Sequence, residues 1–167
     1  MRLLAFLSRH PLALGIVLLL LAAPAWGQDG ASQRATLKGV TIVEVVVEAM
    51  DPVAEQDGLT RAQLQADVEL RLRQAGIAVG PTLIGHLYVN VDTEKSDHGQ
   101  TYAYNVSVQY MQQVVLARDP KAPIFATTWD TGGVGMIGTD RLRDVRQDVA
   151  NYVDQFIKAY LEQNPKP

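Results

Sequence analysis

Three glycines near the carboxyl end of the chain have the spacing of a nucleotide-binding loop. Gly133, Gly135 and Gly138 spell G-x-G-x-x-G within TTWDTGGVGMIGTDRLRDV, residues 127–145. In dinucleotide-binding proteins such a loop opens a helix, and a following parallel strand supplies an acidic residue about 20 positions on. Here only 29 residues follow Gly138, and they carry one unbroken helical pattern. We therefore expect no dinucleotide and no other cofactor.

The same glycines suit a mobile joint between a strand and the last helix. Glycine adopts positive φ without steric cost, and a loop rich in it can be ordered by a partner. Trp129 precedes the glycines, and an exposed tryptophan beside such a loop is a typical binding hot spot, although core packing is the commoner role. The predicted interaction loop comprises Trp129, Gly132, Gly133, Gly135, Gly138 and Arg141.

A small anion is the alternative ligand for this region. Backbone N–H groups at the start of a helix attract phosphate or carboxylate groups. Three arginines follow the glycines, at Arg141, Arg143 and Arg146, but aspartates alternate with them, as on a solvated helix face. A small-anion or small-ligand binding protein is therefore the alternative to a protein-binding loop.

Other chemistry has few residues to use. The chain has no cysteine, and no serine lies in the context of a nucleophile elbow. His98 lies near several acidic residues in DTEKSDHG, but the spacing matches neither a zinc site nor an EF-hand. Paired carboxylates of the glycosidase type stay open, because their separation is spatial. We expect no metal and a protein that is not an enzyme.

The amino end has the three parts of a secretory signal peptide. Arg2 and Arg9 are followed by an apolar run at residues 12–23 and by small residues at Ala25 and Gly27. The run is shorter than the roughly 20 residues that span a membrane. We predict a signal peptide over residues 1–27, cleaved after Gly27, with a retained anchor as the alternative.

The mature chain would be acidic and free of disulfides. Residues 1–27 contain two of the 15 basic residues and none of the 18 acidic ones, which leaves a net charge of −5. Such a charge favours neither nucleic acid nor anionic lipid, and a bacterial lipid anchor would need a cysteine. We expect a periplasmic or secreted protein with no stable membrane insertion and with an envelope or secreted protein as its partner.

Hydrophobic periodicity predicts four strands and two helices. Alternating patterns mark strands at 41–50, 86–95, 101–118 and 124–131. A helix should begin after Thr60, which forms a capping box with Gln63, and end at Gly76. The last helix should have Thr139 as its N-cap and end before Asn164. Residues 28–37 are predicted to be a flexible leader and residues 51–58 a loop.

The resulting fold class is α+β. A single domain over residues 38–164 would be a two-layer sandwich in the order β-α-β-β-β-α, with a mixed four-stranded sheet and both helices on one face. The first crossover should make the first two strands parallel, and the remaining strands should form an antiparallel meander.

The chain also resembles a group of small secreted bacterial proteins with no assigned activity. The resemblance lies in GLTRAQLQADVELRLRQAGI, in the strand pair around LYVNVDTEK and YAYNVSVQY, and in the closing segment from TTWDTGG to LEQNP. The order of elements is similar to that of the amino-terminal domain of TolB and related envelope accessory domains, which implies an interaction role in the cell envelope. We therefore expect a non-catalytic domain that binds a protein or an envelope component, through the glycine loop or the open sheet face.

Overall fold

The computed structural model describes residues 29–165, so the predicted signal peptide lies outside the described residues. In chain order the elements are α1 (Ala31–Ala35), β1 (Ile42–Val47), α2 (Pro52–Gln56), α3 (Arg61–Gln74), β2 (Ala78–Val79), β3 (Gly85–Lys95), β4 (Thr101–Leu116), β5 (Asp119–Gly138), a 3-10 turn (Thr139–Asp144) and α4 (Val145–Gln163). Within residues 29–165, no helix has the length and apolar character needed to cross a membrane.

The strands form one open mixed sheet in the order β2-β1-β3-β4-β5. β1 runs parallel to β2 and β3, whereas β3, β4 and β5 form an antiparallel meander. The α+β class, the parallel crossover and the meander are therefore confirmed. The predicted count of four strands is wrong, because β2 is an additional strand of two residues. Two residues are too few to show an alternating pattern.

One face of the sheet carries the hydrophobic core. A row of paired residues crosses from Val45 in β1 to Leu87, Tyr110 and Trp129 in the following strands, and all four are buried. α3 contacts β1 and β2, and α4 contacts β4 and β5. Both long helices cover this face, which we call the helix face. The opposite face, which we call the open face, carries no helix among the described elements.

The helix α3 begins and ends as its sequence predicts. The hydroxyl of Thr60 accepts a hydrogen bond from the backbone N–H of Gln63 at 3.3 Å. Gly76 has φ of 79°, the left-handed conformation that ends a helix with little strain when the residue is glycine. Between these ends, the apolar stripe of Leu64, Val68 and Leu72 is buried against the sheet.

Two short helices replace segments that were predicted to be irregular. The predicted loop at 51–58 contains α2, where the carboxylate of Asp51 accepts the N–H of Val53 and Pro52 occupies the first helical position. The predicted flexible leader at 28–37 contains α1, and Leu37 just after it is fully buried. Because a buried leucine anchors this segment, the packed unit begins before the predicted domain start at residue 38.

Candidate functional site

The predicted glycine loop is a strand. Gly132, Gly133, Gly135 and Gly138 all lie in β5 and pair with β4 from Ser107 to Thr101. None of the four has a positive φ, in contrast to glycines at turns elsewhere in residues 29–165. The mobile joint inferred from the sequence is therefore wrong. Glycine density indicated flexibility, but these glycines are held by a regular antiparallel ladder.

Two of the glycines make room for tyrosine side chains on the helix face. A Cβ atom at Gly133 would overlap the hydroxyl of Tyr152 from α4, and one at Gly135 would overlap the ring of Tyr104 from β4. The Tyr104 hydroxyl lies across Gly135 and donates a 2.6 Å hydrogen bond to Asp148 in α4. This hydrogen bond, together with burial, raises the pKa of Tyr104 to about 12. These glycines are sites of close packing.

The other two glycines are constrained by neighbouring groups. A Cβ atom at Gly132 would overlap the backbone carbonyl of Val106, and one at Gly138 would come within 2.7 Å of the carboxylate of Asp140. A side chain at Gly132 would therefore disturb the pairing of β5 with β4. Close packing within the fold therefore explains Gly132, Gly133 and Gly135, without a bound phosphate.

Trp129 is a core residue. Its side chain is 0% exposed, and its ring meets the ring of Phe156 edge to face with centroids 5.2 Å apart. The indole Nε1–H donates a 2.7 Å hydrogen bond to the carboxylate of Asp29, which also pairs with Arg34 at 2.7 Å. The hypothesis of an exposed Trp129 is therefore wrong, and the alternative of core packing is confirmed.

The start of the last helix differs from its predicted geometry. A 3-10 turn occupies Thr139–Asp144, and α4 begins only at Val145. Thr139 does not cap a helix, because its hydroxyl donates to the carbonyl of Gly99 at 2.7 Å and its N–H donates to the carbonyl of Gln100 at 3.0 Å. Arg141, the last residue of the predicted interaction loop, is exposed and pairs with Asp144 at 2.9 Å.

A groove of about 860 Å³ lies between α3 and the beginning of α4. Charged side chains of both signs line it, and most are already paired: Arg146 donates two hydrogen bonds of 2.7 and 2.9 Å to Asp67, and Arg71 binds Asp154. The pairing with Asp67 raises the pKa of Arg146. Arg143 is exposed, and its guanidinium has no hydrogen bond or ion pair within residues 29–165. This guanidinium is therefore the one without an acidic partner in the described groove.

The open face of β5 exposes two large apolar side chains. Val134 is 84% exposed and Met136 is 76% exposed, although both lie within a paired strand. They alternate with the glycines that pack under the tyrosines, so one strand presents its packing residues on the helix face and its exposed residues on the open face. Sequence reasoning missed both residues. The alternation V-G-M was the available signal, but it stood inside a motif interpreted as a loop.

Val134 and Met136 border a shallow depression of about 590 Å³. One row of paired residues there runs Glu94, Ala103, Met136, and the next runs Asp92, Asn105, Val134. The floor is therefore apolar around Ala103, whereas carboxylates stand on its far side in β3. We call this region the β5 corner. It is our candidate functional site.

The acidic residues around His98 raise the question of a metal site. Within residues 29–165, no three His, Cys, Asp or Glu side chains are grouped closely enough to hold an ion. His98 lies in the turn between β3 and β4 and is exposed. The β5 corner contributes two carboxylates, Asp92 and Glu94.

Comparisons with known proteins assign the chain to no family. No family model and no curated protein matches it. Among solved structures, the crystal structure of rare lipoprotein B from Shewanella oneidensis aligns with a TM-score of 0.37 and 10% identity, over 72% of this chain and 96% of that one. The likeness to the amino-terminal domain of TolB is not shown. A likeness at a TM-score of 0.37 supports no conclusion about function.

Proposed function

We propose that the protein is a non-catalytic binding domain of the periplasm or extracellular space, and that it holds an envelope or secreted protein at the β5 corner. The observation that carries this proposal is the exposure of Val134 and Met136, at 84% and 76%, on a strand that the fold holds in fixed register. The proposed binding surface is therefore the open sheet face, the second of the two surfaces expected from the sequence, and not the glycine loop.

The rest of the open face supports this location. Several strand residues facing the same side at the middle of the sheet are polar, among them Asn90, Ser107 and Gln109. Val134 and Met136 lie next to each other at the end of that surface. Leaving their apolar surface in water forgoes about 25 cal/mol of burial free energy for each exposed Å². Apolar patches with a polar rim are typical of protein contact sites.

Site-specific photocrosslinking in the secreting cell tests the proposal. A photoreactive residue placed at Met136 should form a covalent adduct with one discrete partner band, because that side chain points out of the open face. The matched control position is Leu83, which is 88% exposed but lies in the turn before β3, away from the β5 corner. The same band should not appear from the control position.

Two outcomes would contradict the proposal. One is the absence of any adduct from position 136 and from position 134. The other is an identical set of adducts from position 83, since that result would reflect exposure alone. Replacing Val134 with Asp should also remove the adduct formed from position 136, because a buried carboxylate without a partner opposes association.

A second candidate function is the binding of a small anion in the groove beside α4, and it is favoured by the unpaired guanidinium of Arg143. Inorganic phosphate should then raise the midpoint of thermal unfolding, and Arg143→Gln should remove that rise. Arg118→Gln is the matched control, because Arg118 is exposed in the β4–β5 turn, remote from the groove. Equal responses to phosphate and chloride would exclude this candidate.

A further inference from the structure

β5 lies at the edge of the sheet, and the direction of its backbone groups can be read from the ladder. Thr139 donates its N–H to the carbonyl of Gln100, and Tyr104 lies opposite Gly135. Residues in an antiparallel pair alternate between those bonded to the partner strand and those directed away from it. Gly135 and Ile137 are therefore bonded to β4, whereas the N–H and C=O groups of Val134 and Met136 point outward.

Residues 29–165 cover part of this edge and leave another part uncovered. Near its centre, the side chain of Gln33 in α1 donates to Asp130 at 2.7 Å, and the hydroxyl of Thr36 donates to the carbonyl of Thr128 at 3.4 Å. From Val134 to Gly138 the strand has no charge and no proline, and its register with β4 is regular. Natural proteins place charges, prolines or irregular pairing at open edges to prevent another chain from adding there. A stretch without these features can pair with another chain.

The β5 corner adds a chemical preference for what pairs there. Its floor around Ala103 and Met136 is apolar, and the carboxylate of Glu94 on the far side forms no ion pair or hydrogen bond within residues 29–165. Asp92 beside it accepts one hydrogen bond, from Asn90 at 3.0 Å. A lysine or arginine side chain has the matching form, because its apolar stem can lie over Met136 while its positive charge faces the carboxylates across the depression.

We infer that the partner contributes an extended basic segment that adds a sixth strand to the sheet along Val134–Gly138, with a lysine or arginine side chain lying over Met136 and directed towards Asp92 and Glu94. This inference rests on the proposed function and specifies its binding mode, which is strand addition. Backbone hydrogen bonds would supply affinity, and the basic side chain would supply specificity.

A second copy of this chain fits the same edge less well. Pairing two copies over five residues would bury far less than the roughly 1,200 Å² that stable interfaces between folded proteins require. It would also leave Asp92 and Glu94 of each copy without a basic partner, because the stretch Val134–Gly138 of the second copy carries no charge. A peptide segment needs less area, because it can follow the edge and enter the depression at the same time.

Synthetic peptides of alternating valine and lysine residues, capped at both ends, provide the probe. The peptide should bind the protein in a fluorescence anisotropy titration, and a peptide with glutamate in place of lysine should bind at least about tenfold more weakly. Methylating every second backbone nitrogen gives two peptides, one for each of the two alternating sets of nitrogens, which we call the two methylation phases. Binding should weaken about tenfold in one phase and stay nearly unchanged in the other, because only one set of N–H groups faces β5.

Protein variants locate the contact. Val134→Pro should abolish binding, because it removes a donor that points outward, and a proline is tolerated at such an edge position. Glu94→Gln should weaken the lysine peptide several-fold and reduce its advantage over the glutamate peptide. Glu48→Gln is the matched control, since Glu48 is an exposed carboxylate just beyond β1, and it should change neither. If Val134→Pro does not fold, the methylated peptides decide the question on the unaltered protein.

The outcomes separate this inference from the proposed function. Equal binding in both methylation phases, or equal binding of lysine and glutamate peptides, overturns strand addition by a basic segment. A dimer in sedimentation that Val134→Pro dissociates would instead make a second copy the occupant. If no peptide binds while position 136 still crosslinks to a partner, strand addition fails and the proposed function stands. If both experiments are negative, both fail.

Discussion

Gly135→Ala should destabilise the protein through a specific collision with Tyr104. The new methyl group would overlap the Tyr104 ring, so the ring must move and its 2.6 Å hydrogen bond to Asp148 must lengthen or break. Overpacking of this kind costs about 1–3 kcal/mol. A lost hydrogen bond to a carboxylate adds to that cost, less than in a dry interior because this pair is only partly buried.

The same substitution should have the opposite sign once the ring is gone. In a Tyr104→Ala background the three atoms closest to the new methyl group are gone, and alanine is favoured over glycine within a strand by roughly 0.5–1 kcal/mol. The coupling free energy between the two positions is then about 2 kcal/mol or more. Tyr104→Phe serves as the control that separates the two effects, because it removes the hydrogen bond and keeps most of the collision.

Urea unfolding of the four proteins in this double-mutant cycle measures the coupling directly, provided that the dependence of the free energy on urea is the same for all of them. If Gly135→Ala costs the same in both backgrounds, within about 0.5 kcal/mol, then the glycine does not serve the tyrosine and our explanation of the motif is wrong. A flexible joint at Gly135 would give that additive result.

Three further outcomes are expected. Burial raises the pKa of Tyr110 from 10.0 to about 12, so the contribution of this tyrosine to stability is complete below pH 10 and is lost as the pH rises towards 12. Tyrosinate absorbance and the free energy of unfolding, both measured against pH, would detect this loss. Titration of Tyr110 near pH 10 would contradict it. Trp129→Ala should cost about 3–5 kcal/mol in urea unfolding, and a loss below about 1 kcal/mol would contradict the buried position. Gly76→Ala should cost about 1 kcal/mol because φ is 79° there, whereas Gly76→Asn should cost less in the same assay; equal costs would argue against the left-handed cap.

The sequence predicted those parts of the fold that depend on residues close together in the chain. Thr60 and Gln63 are three positions apart, and Gly76 follows directly on the helix that it ends, so local chemistry determined α3. The alternation of Val43, Val45 and Val47 predicted the buried face of β1. In each case the residues that cause the structure lie within the same element.

The strand that carries the candidate site was not predicted, because the reasons for its glycines are distant in sequence and the alternation V-G-M was interpreted as part of a loop. Gly135 is a glycine on account of Tyr104 in another strand, and Gly133 on account of Tyr152 in a helix. A single sequence shows the glycines but not the rings above them. The short helix α1 was not predicted for a similar reason, because Asp29 and Arg34 hold it to Trp129, about a hundred residues away.

The two-sided use of β5 has a consequence for how the protein can diverge. Odd-numbered residues from Gly133 to Ile137 serve packing, and the even-numbered residues Val134 and Met136 meet the solvent. Substitutions at the even positions can therefore change the surface that the open face presents with little effect on the core. A single inserted or deleted residue would exchange the two sets, placing methionine against the tyrosines and glycine outside. Along this strand, related proteins should vary in residue type at positions 134 and 136 and hardly at all in length.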